Sequence, residues 1–232
     1  MWGFSQHYSV VDFFYHTRYN VSARILYIRS IDILMTSIIF IEGVSGVGKT
    51  TTAARLCDHL RSKGYKSACH LEGAKDNPLD PFMGSYPPSM PLSVFSETYL
   101  QCWQNFKRNR LEQDSLLVLD GTLLHHQVND LIREYDASNK TILQHLSDLL
   151  YELQPFSPIL FYLSSDNVGQ SLAEARKNRK QSVATEEQIA FWNNRKRVDL
   201  SVLGRLPVES HILKIDNGWD SIIETMTECM KL

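Results

Sequence analysis

Cysteine is scarce in this 232-residue chain: Cys57, Cys69, Cys102 and Cys229 form no CxxC pair and have no histidine at ligand spacing. A disulfide framework is thereby excluded and a zinc site disfavoured, and free thiols of a reducing, cytoplasmic protein are expected. No apolar run reaches the roughly 18 residues of a membrane-spanning helix, and no basic stretch with a long apolar core marks a secretory signal. No membrane partner is expected. Excess charge is missing too: 24 Lys and Arg stand against 26 Asp and Glu, a formal net charge of -2. Gripping a nucleic-acid backbone requires a basic excess, so nucleic acid is not an expected partner either.

Hydrophobic residues make up 43% and charged residues 22%, the balance of an ordinary globular chain. The length suits one α/β domain. Residues 1–34 hold eight of the 24 aromatics (Trp2, Phe4, Tyr8, Phe13, Phe14, Tyr15, Tyr19 and Tyr27) without helical or strand periodicity. They read as an N-terminal extension, disordered or lying upstream of a true start at Met35, with residues 35–232 forming the domain.

From Ser37 onward strands alternate with helices. Strands are expected at Ser37–Glu42, Lys66–Leu71, Leu116–Asp120, Ile159–Leu163 and His211–Ile215. Helices are expected at Lys49–Lys63, Ser93–Leu111, Gln127–Tyr135, Lys140–Leu153, Val168–Asn178, Glu186–Arg197 and Ser221–Met230. Between Glu72 and Pro91 five prolines forbid a helix. The alternation predicts a three-layer α/β fold, a mostly parallel sheet with helices on both faces.

One motif dominates. Gly43-Val44-Ser45-Gly46-Val47-Gly48-Lys49-Thr50 matches G-x-x-x-x-G-K-[ST] at every fixed position, between a strand and a helix. Glycines let backbone N–H groups converge on phosphate oxygens, and the helix N-terminus favours anions. Lys49 reaches the β- and γ-phosphates, Thr50 offers its hydroxyl to Mg²⁺, and Thr51 completes the nucleotide-binding run. Asp120 ends the third strand, at the sheet edge where α/β proteins bind ligands, and is a candidate for holding Mg²⁺ or orienting an acceptor. Glu72 ends the second strand the same way and is a candidate general base.

Arg176 and Arg179 lie after the fourth strand, where a lid over residues 176–186 would close arginines on a transferring phosphoryl group. Arg195-Lys196-Arg197 is a second basic cluster, either a solvated helix face or a local contact to RNA. His125 and His126 follow Asp120; adjacent histidines point apart, so they suit a loop cap or a substrate contact better than a shared metal. Tyr99, Trp103 and Phe106 fall at helical spacing and read as core.

These residues resemble the P-loop kinases of nucleosides, nucleotides and other small metabolites, from Ser37 to the C-terminus. Glu42-Gly43 before the loop and Gly48-Lys49-Thr50-Thr51 at its end are similar to thymidylate kinases; Val44-Ser45-Gly46 is similar to gluconate kinases. The resemblance implies a five-stranded parallel sheet of order 2-3-1-4-5, with Glu72 at the position of the deoxynucleoside kinases' base. Those enzymes carry Arg after the third-strand acid. Here Asp120 is followed by Gly121 and Thr122, which speaks against a dedicated thymidylate or deoxynucleoside substrate. The expected activity is ATP- and Mg²⁺-dependent phosphotransfer to a small-molecule acceptor, a nucleoside or nucleotide first, by a chain that could form a homodimer. The alternative is a regulatory ATPase acting through a protein partner.

Overall fold

Five short segments become the strands, β1 (Ser37–Glu42), β2 (Ser67–His70), β3 (Leu116–Asp120), β4 (Ile159–Ser164) and β5 (Glu209–Lys214), of which β1, β3 and β4 are apolar runs. The computed structural model describes residues 37–72, 79–82, 87, 89–110, 115–215 and 218–232. All strand pairs are parallel and the order is β2-β3-β1-β4-β5. This is the expected order. β4 is buried at every residue because helices cover both its faces, whereas β5, at the edge, alternates.

Side-chain alternation sorts the core into two layers. Ile38 and Phe40 of β1 point to one side, into a cluster with Phe95, Trp103, Leu146 and Leu150. These come from α2 (Leu92–Arg110) and α4 (Asn139–Leu153), with α3 (His125–Tyr135) adding Val128 and Leu131. Ile39 and Ile41 point to the other side and meet Leu56 of α1 (Lys49–Ser62) and Ile222 and Met226 of α7 (Trp219–Met230). Two further helices, α5 (Val168–Asn178) and α6 (Glu186–Leu203), complete the set. Tyr99, Trp103 and Phe106 are core residues, as their spacing predicts.

The structure changes several sequence expectations. The sixth helix, α6, runs to Leu203 rather than Arg197, because Asp199, Val202 and Leu203 are buried and continue the inward face. β5 begins at Glu209 rather than His211. The cluster Arg195-Lys196-Arg197 is not a basic patch. Arg195 is 1% exposed: its Nε donates to Asp199 Oδ1 at 2.8 Å and its Nη2 to the Leu124 carbonyl at 2.6 Å. Lys196 donates to the Ser165 carbonyl at 2.6 Å. These bonds leave Arg197 as the exposed cation of the three.

The reading of residues 1–34 as an extension falls outside the described residues. So do residues 73–78, 83–86 and 88 of the proline-rich stretch. Its described part is anchored: Leu79 and Asp80 are buried, and the Phe82 ring stacks on Phe95 at 5.9 Å. The four cysteines are free thiols. Among the described residues no helix is long and apolar enough to cross a membrane.

Arg195 is the main polar tie between α6 and the start of α3. Asp199 is fully buried beside it and also accepts from the Tyr162 hydroxyl at 3.0 Å. Replacing Asp199 with Asn leaves the guanidinium buried against a neutral partner, and hydrogen bonds to charged groups contribute about 1.5–3 kcal/mol. The expected result is a loss of about 2–3 kcal/mol in urea denaturation with an unchanged m-value.

Candidate functional site

The site forms where β1 and β3, paired side by side in the sheet, end at the same level: Ile41 is in register with Asp120. Beyond β1 the chain turns through Gly43 to Gly48 and enters α1. Gly46 has φ 90°, and a Cβ there would lie 2.8 Å from the Ser171 carbonyl oxygen, so the loop packs on α5 only with glycine. Val44 and Val47 are buried and pin the loop to the core. α1 begins at Gly48 with no side-chain cap and no acid in its first turn. Its N-terminal dipole therefore faces the loop with no acid of its own first turn to offset it.

Lys49 is 6% exposed and folds back into this turn. Its Nζ lies 3.5 Å from the Val44 carbonyl, 3.2 Å from His125 Nδ1 and 3.6 Å from Glu72 Oε2. Glu72 is anchored at its backbone, whose N–H donates to Asp120 Oδ2 at 3.2 Å. Its other carboxylate oxygen lies 3.4 Å from His125 Nε2 and 3.8 Å from His126 Nε2. Thr50 and Thr51 lie exposed at the mouth of the turn.

Gly121 explains the departure after Asp120. It sits at φ 63°, and a Cβ there would come 2.9 Å from Glu72 Oε2 and 3.1 Å from Lys49 Cε. A larger residue would displace the pair that occupies this space.

Asp120 is fully buried, and its Oδ1 has no hydrogen-bond partner among the described residues. Burial raises its carboxyl pKa, while Lys49 and the Thr50 side chain pull it back. A buried anionic oxygen without a partner, beside a threonine hydroxyl, suits a hard cation with oxygen ligands, directly or through water. Asp120 and Thr50 therefore fit Mg²⁺.

Three cavities meet at Arg179. A cleft of about 70 Å³ is lined by the loop, Lys49, Thr50, Glu72 and His125. A larger cleft of about 630 Å³ runs past Thr51 to Asp166, Asn167, Asn178 and Trp219. A third cavity of about 360 Å³ lies between Ser45, Arg133, Phe191 and Trp192. Arg179 borders all three. Arg176 borders only the third and donates to the Ser182 carbonyl at 3.0 Å. The two arginines expected to act together share this third cavity; Arg179 also caps the C-terminus of α5 beside the phosphate loop, and Arg176 braces the turn toward α6.

Two residues near the site have contacts that the sequence reading did not assign to them. Glu42 is fully buried, and its carboxylate accepts from the backbone N–H groups of Leu123 at 2.7 Å and His125 at 3.2 Å. Burial pushes its pKa up to about 8 against the pull of these donors. It joins the end of β1 to the start of α3. His125 sits at the centre of the cluster, with its ring stacked on Trp192 at 5.3 Å and 9°. The acid closing the apolar run of β1 was the available signal for Glu42. None marked His125 beyond its place after Asp120.

No protein-family model and no curated protein sequence matches the chain. Solved structures do. YorR of Bacillus subtilis, determined in complex with phosphorylated GDP, is similar with a TM-score of 0.53 at 15% identity, over 84% of this chain and 96% of that one. Thymidylate kinase of Candida albicans is similar with a TM-score of 0.54 at 18% identity, over 85% of this chain and 92% of that one. Over most of its length, the chain has the fold of the P-loop nucleotide kinases.

Proposed function

We propose that this protein is a Mg²⁺-dependent kinase that transfers the γ-phosphate of ATP to a small-molecule acceptor, a nucleoside or nucleotide. The observation that carries the reading is the meeting of Lys49, Thr50, Glu72 and Asp120 at the ends of three adjacent strands. The phosphate-binding turn, Thr50 and the Glu72 carboxylate line one small cleft, with Asp120 buried behind it. The likeness to two nucleotide-kinase-like structures supports it.

In this reading the 630 Å³ cleft takes the nucleoside of ATP, and the loop amides and Lys49 hold its β- and γ-phosphates. Thr50 and Asp120 hold Mg²⁺, which when bound offsets the charge of the phosphate oxygens. Glu72 accepts the proton of the acceptor hydroxyl as its oxygen attacks the γ-phosphorus and the bond to the β–γ bridging oxygen breaks. Arg179 stabilises the charge spread over the transferring group, since it borders all three cavities.

Thermal denaturation with Mg·ATP tests the first half. At 100 times its Kd a ligand stabilises the native state by about 2.7 kcal/mol, so a clear rise in Tm is expected. Product formation from ATP across a panel of nucleosides and nucleotides tests the second half. Absence of any stabilisation removes the nucleotide site. ATP turnover at one rate with and without every acceptor replaces the kinase by an ATPase.

A further inference from the structure

Resting on that reading of Glu72 as the base, we infer that His125 is the positioning residue of the site: its Nε2–H aims the Glu72 carboxylate while its Nδ1 parks the Lys49 ammonium until a nucleotide draws it away. The role is carried by how completely His125 is held. Its backbone N–H donates to the Glu42 carboxylate, its carbonyl accepts from Arg195 at 3.1 Å, and its ring lies flat against Trp192. Those anchors come from β1 and α6: the two backbone bonds fix where the side chain starts, and Trp192 covers one face of its ring.

The neighbours select the tautomer. Nδ1 lies 3.2 Å from the Lys49 ammonium and 3.4 Å from the Gly43 carbonyl, and Nε2 lies 3.4 Å from Glu72 Oε1. A proton on Nδ1 would satisfy Gly43 but would face the Lys49 protons, and it would leave a lone pair on Nε2 against a carboxylate oxygen. A proton on Nε2 removes both conflicts: Nε2–H donates to Glu72, and Nδ1 accepts from Lys49. Burial, reinforced by Lys49 and Arg195, holds the ring neutral, well below the ordinary histidine pKa.

The arrangement has a consequence for the order of events. Lys49 contacts both His125 and Glu72, and an ammonium drawn onto bound phosphates moves off them. Glu72 then loses its cation. Its remaining contacts are the backbone bond to Asp120 at one end, and His125 at 3.4 Å with His126 at 3.8 Å at the other. His125 keeps the carboxylate pointed at the acceptor through that exchange.

The experiment uses the full chain labelled with ¹⁵N at histidine. Ring shifts of His125 are assigned by their loss in His125→Gln and read with and without Mg·AMP-PNP. A protonated Nε2 with a bare Nδ1, and a shift confined to Nδ1 when the nucleotide analogue binds, is the expected result. A proton on Nδ1 overturns the inference, and so does a ring unchanged by the analogue.

Kinetics form the second arm. His125→Phe keeps the stack on Trp192 and deletes both nitrogens. Its kcat for phosphotransfer should fall about 10–100-fold, the scale of a misplaced catalytic group, with KM for ATP within about twofold of wild type. In His125→Ala, free imidazole should restore part of the loss, whereas in His125→Phe, whose pocket is filled, it should not. Full turnover in His125→Phe, or a loss expressed in KM for ATP instead, overturns the role. If the wild-type chain binds Mg·AMP-PNP yet phosphorylates no acceptor, the kinase reading fails, and the ring shifts still decide the tautomer and the parking of Lys49.

Discussion

Replacing Glu72 with glutamine is expected to lower phosphotransfer by roughly 10²–10⁴-fold, the range for a positioned general base. Glutamine keeps the size and the backbone bond to Asp120 but cannot take a proton from the attacking hydroxyl. Nucleotide affinity should stay close to wild type, because Glu72 faces the 70 Å³ cleft and does not line the larger cleft proposed for the nucleoside. Asp120→Asn should behave differently. It alters the buried oxygen offered to Mg²⁺, so it should impair phosphotransfer and slow hydrolysis together. The measurement pairs calorimetric nucleotide binding with product formation, acceptor present and absent. If Glu72→Gln abolishes Mg·ATP binding while Asp120→Asn leaves it intact, the two roles are exchanged.

What was legible in the sequence follows the range of the interactions involved. The phosphate loop is a local device: glycine, lysine and threonine at fixed spacing make the turn, the helix start and the ligand groups within eight residues. The strands were equally legible, because alternating or continuous burial along five or six residues leaves its mark on those residues alone. Parallel alternation with helices then narrows the topologies, and the sheet order came out as expected. The site around the loop was less legible. Glu72 and Asp120 stand at strand ends and could be found by position, but their backbone-to-carboxylate bond spans 48 residues. Glu42 meets Leu123 across 81 residues, and Lys49 meets His125 across 76. Nothing in the pentapeptides around Glu42 or His125 encodes those partners. Arg195 shows the opposite error. Three basic residues in a row read as a surface, yet Asp199 four positions on was the signal of a buried pair on one helix face.

Lys49→Ala is the second substitution expected to have a large effect, on the order of 10²–10³-fold in turnover, the cost of losing one preorganised electrostatic group. The ammonium sits among the Val44 carbonyl, His125 and Glu72, at the floor of the turn that would receive the β- and γ-phosphates. Deleting it leaves the loop backbone intact, since glycine conformations and the buried Val44 and Val47 set its path. Stability should change little, by less than about 1 kcal/mol, because Glu72 is 27% exposed at its side chain and water can replace the lost cation. Lys49→Met serves as the control for packing: it keeps the stem that contacts Gly121 and removes only the charge. Both variants should lose turnover to the same degree, with Met the closer to wild type in thermal denaturation. Nucleotide affinity should fall in both, unlike in Glu72→Gln, which separates the cation on the phosphates from the base on the acceptor. Wild-type turnover in either variant would remove the phosphate-loop reading, and the rest of the proposed chemistry with it.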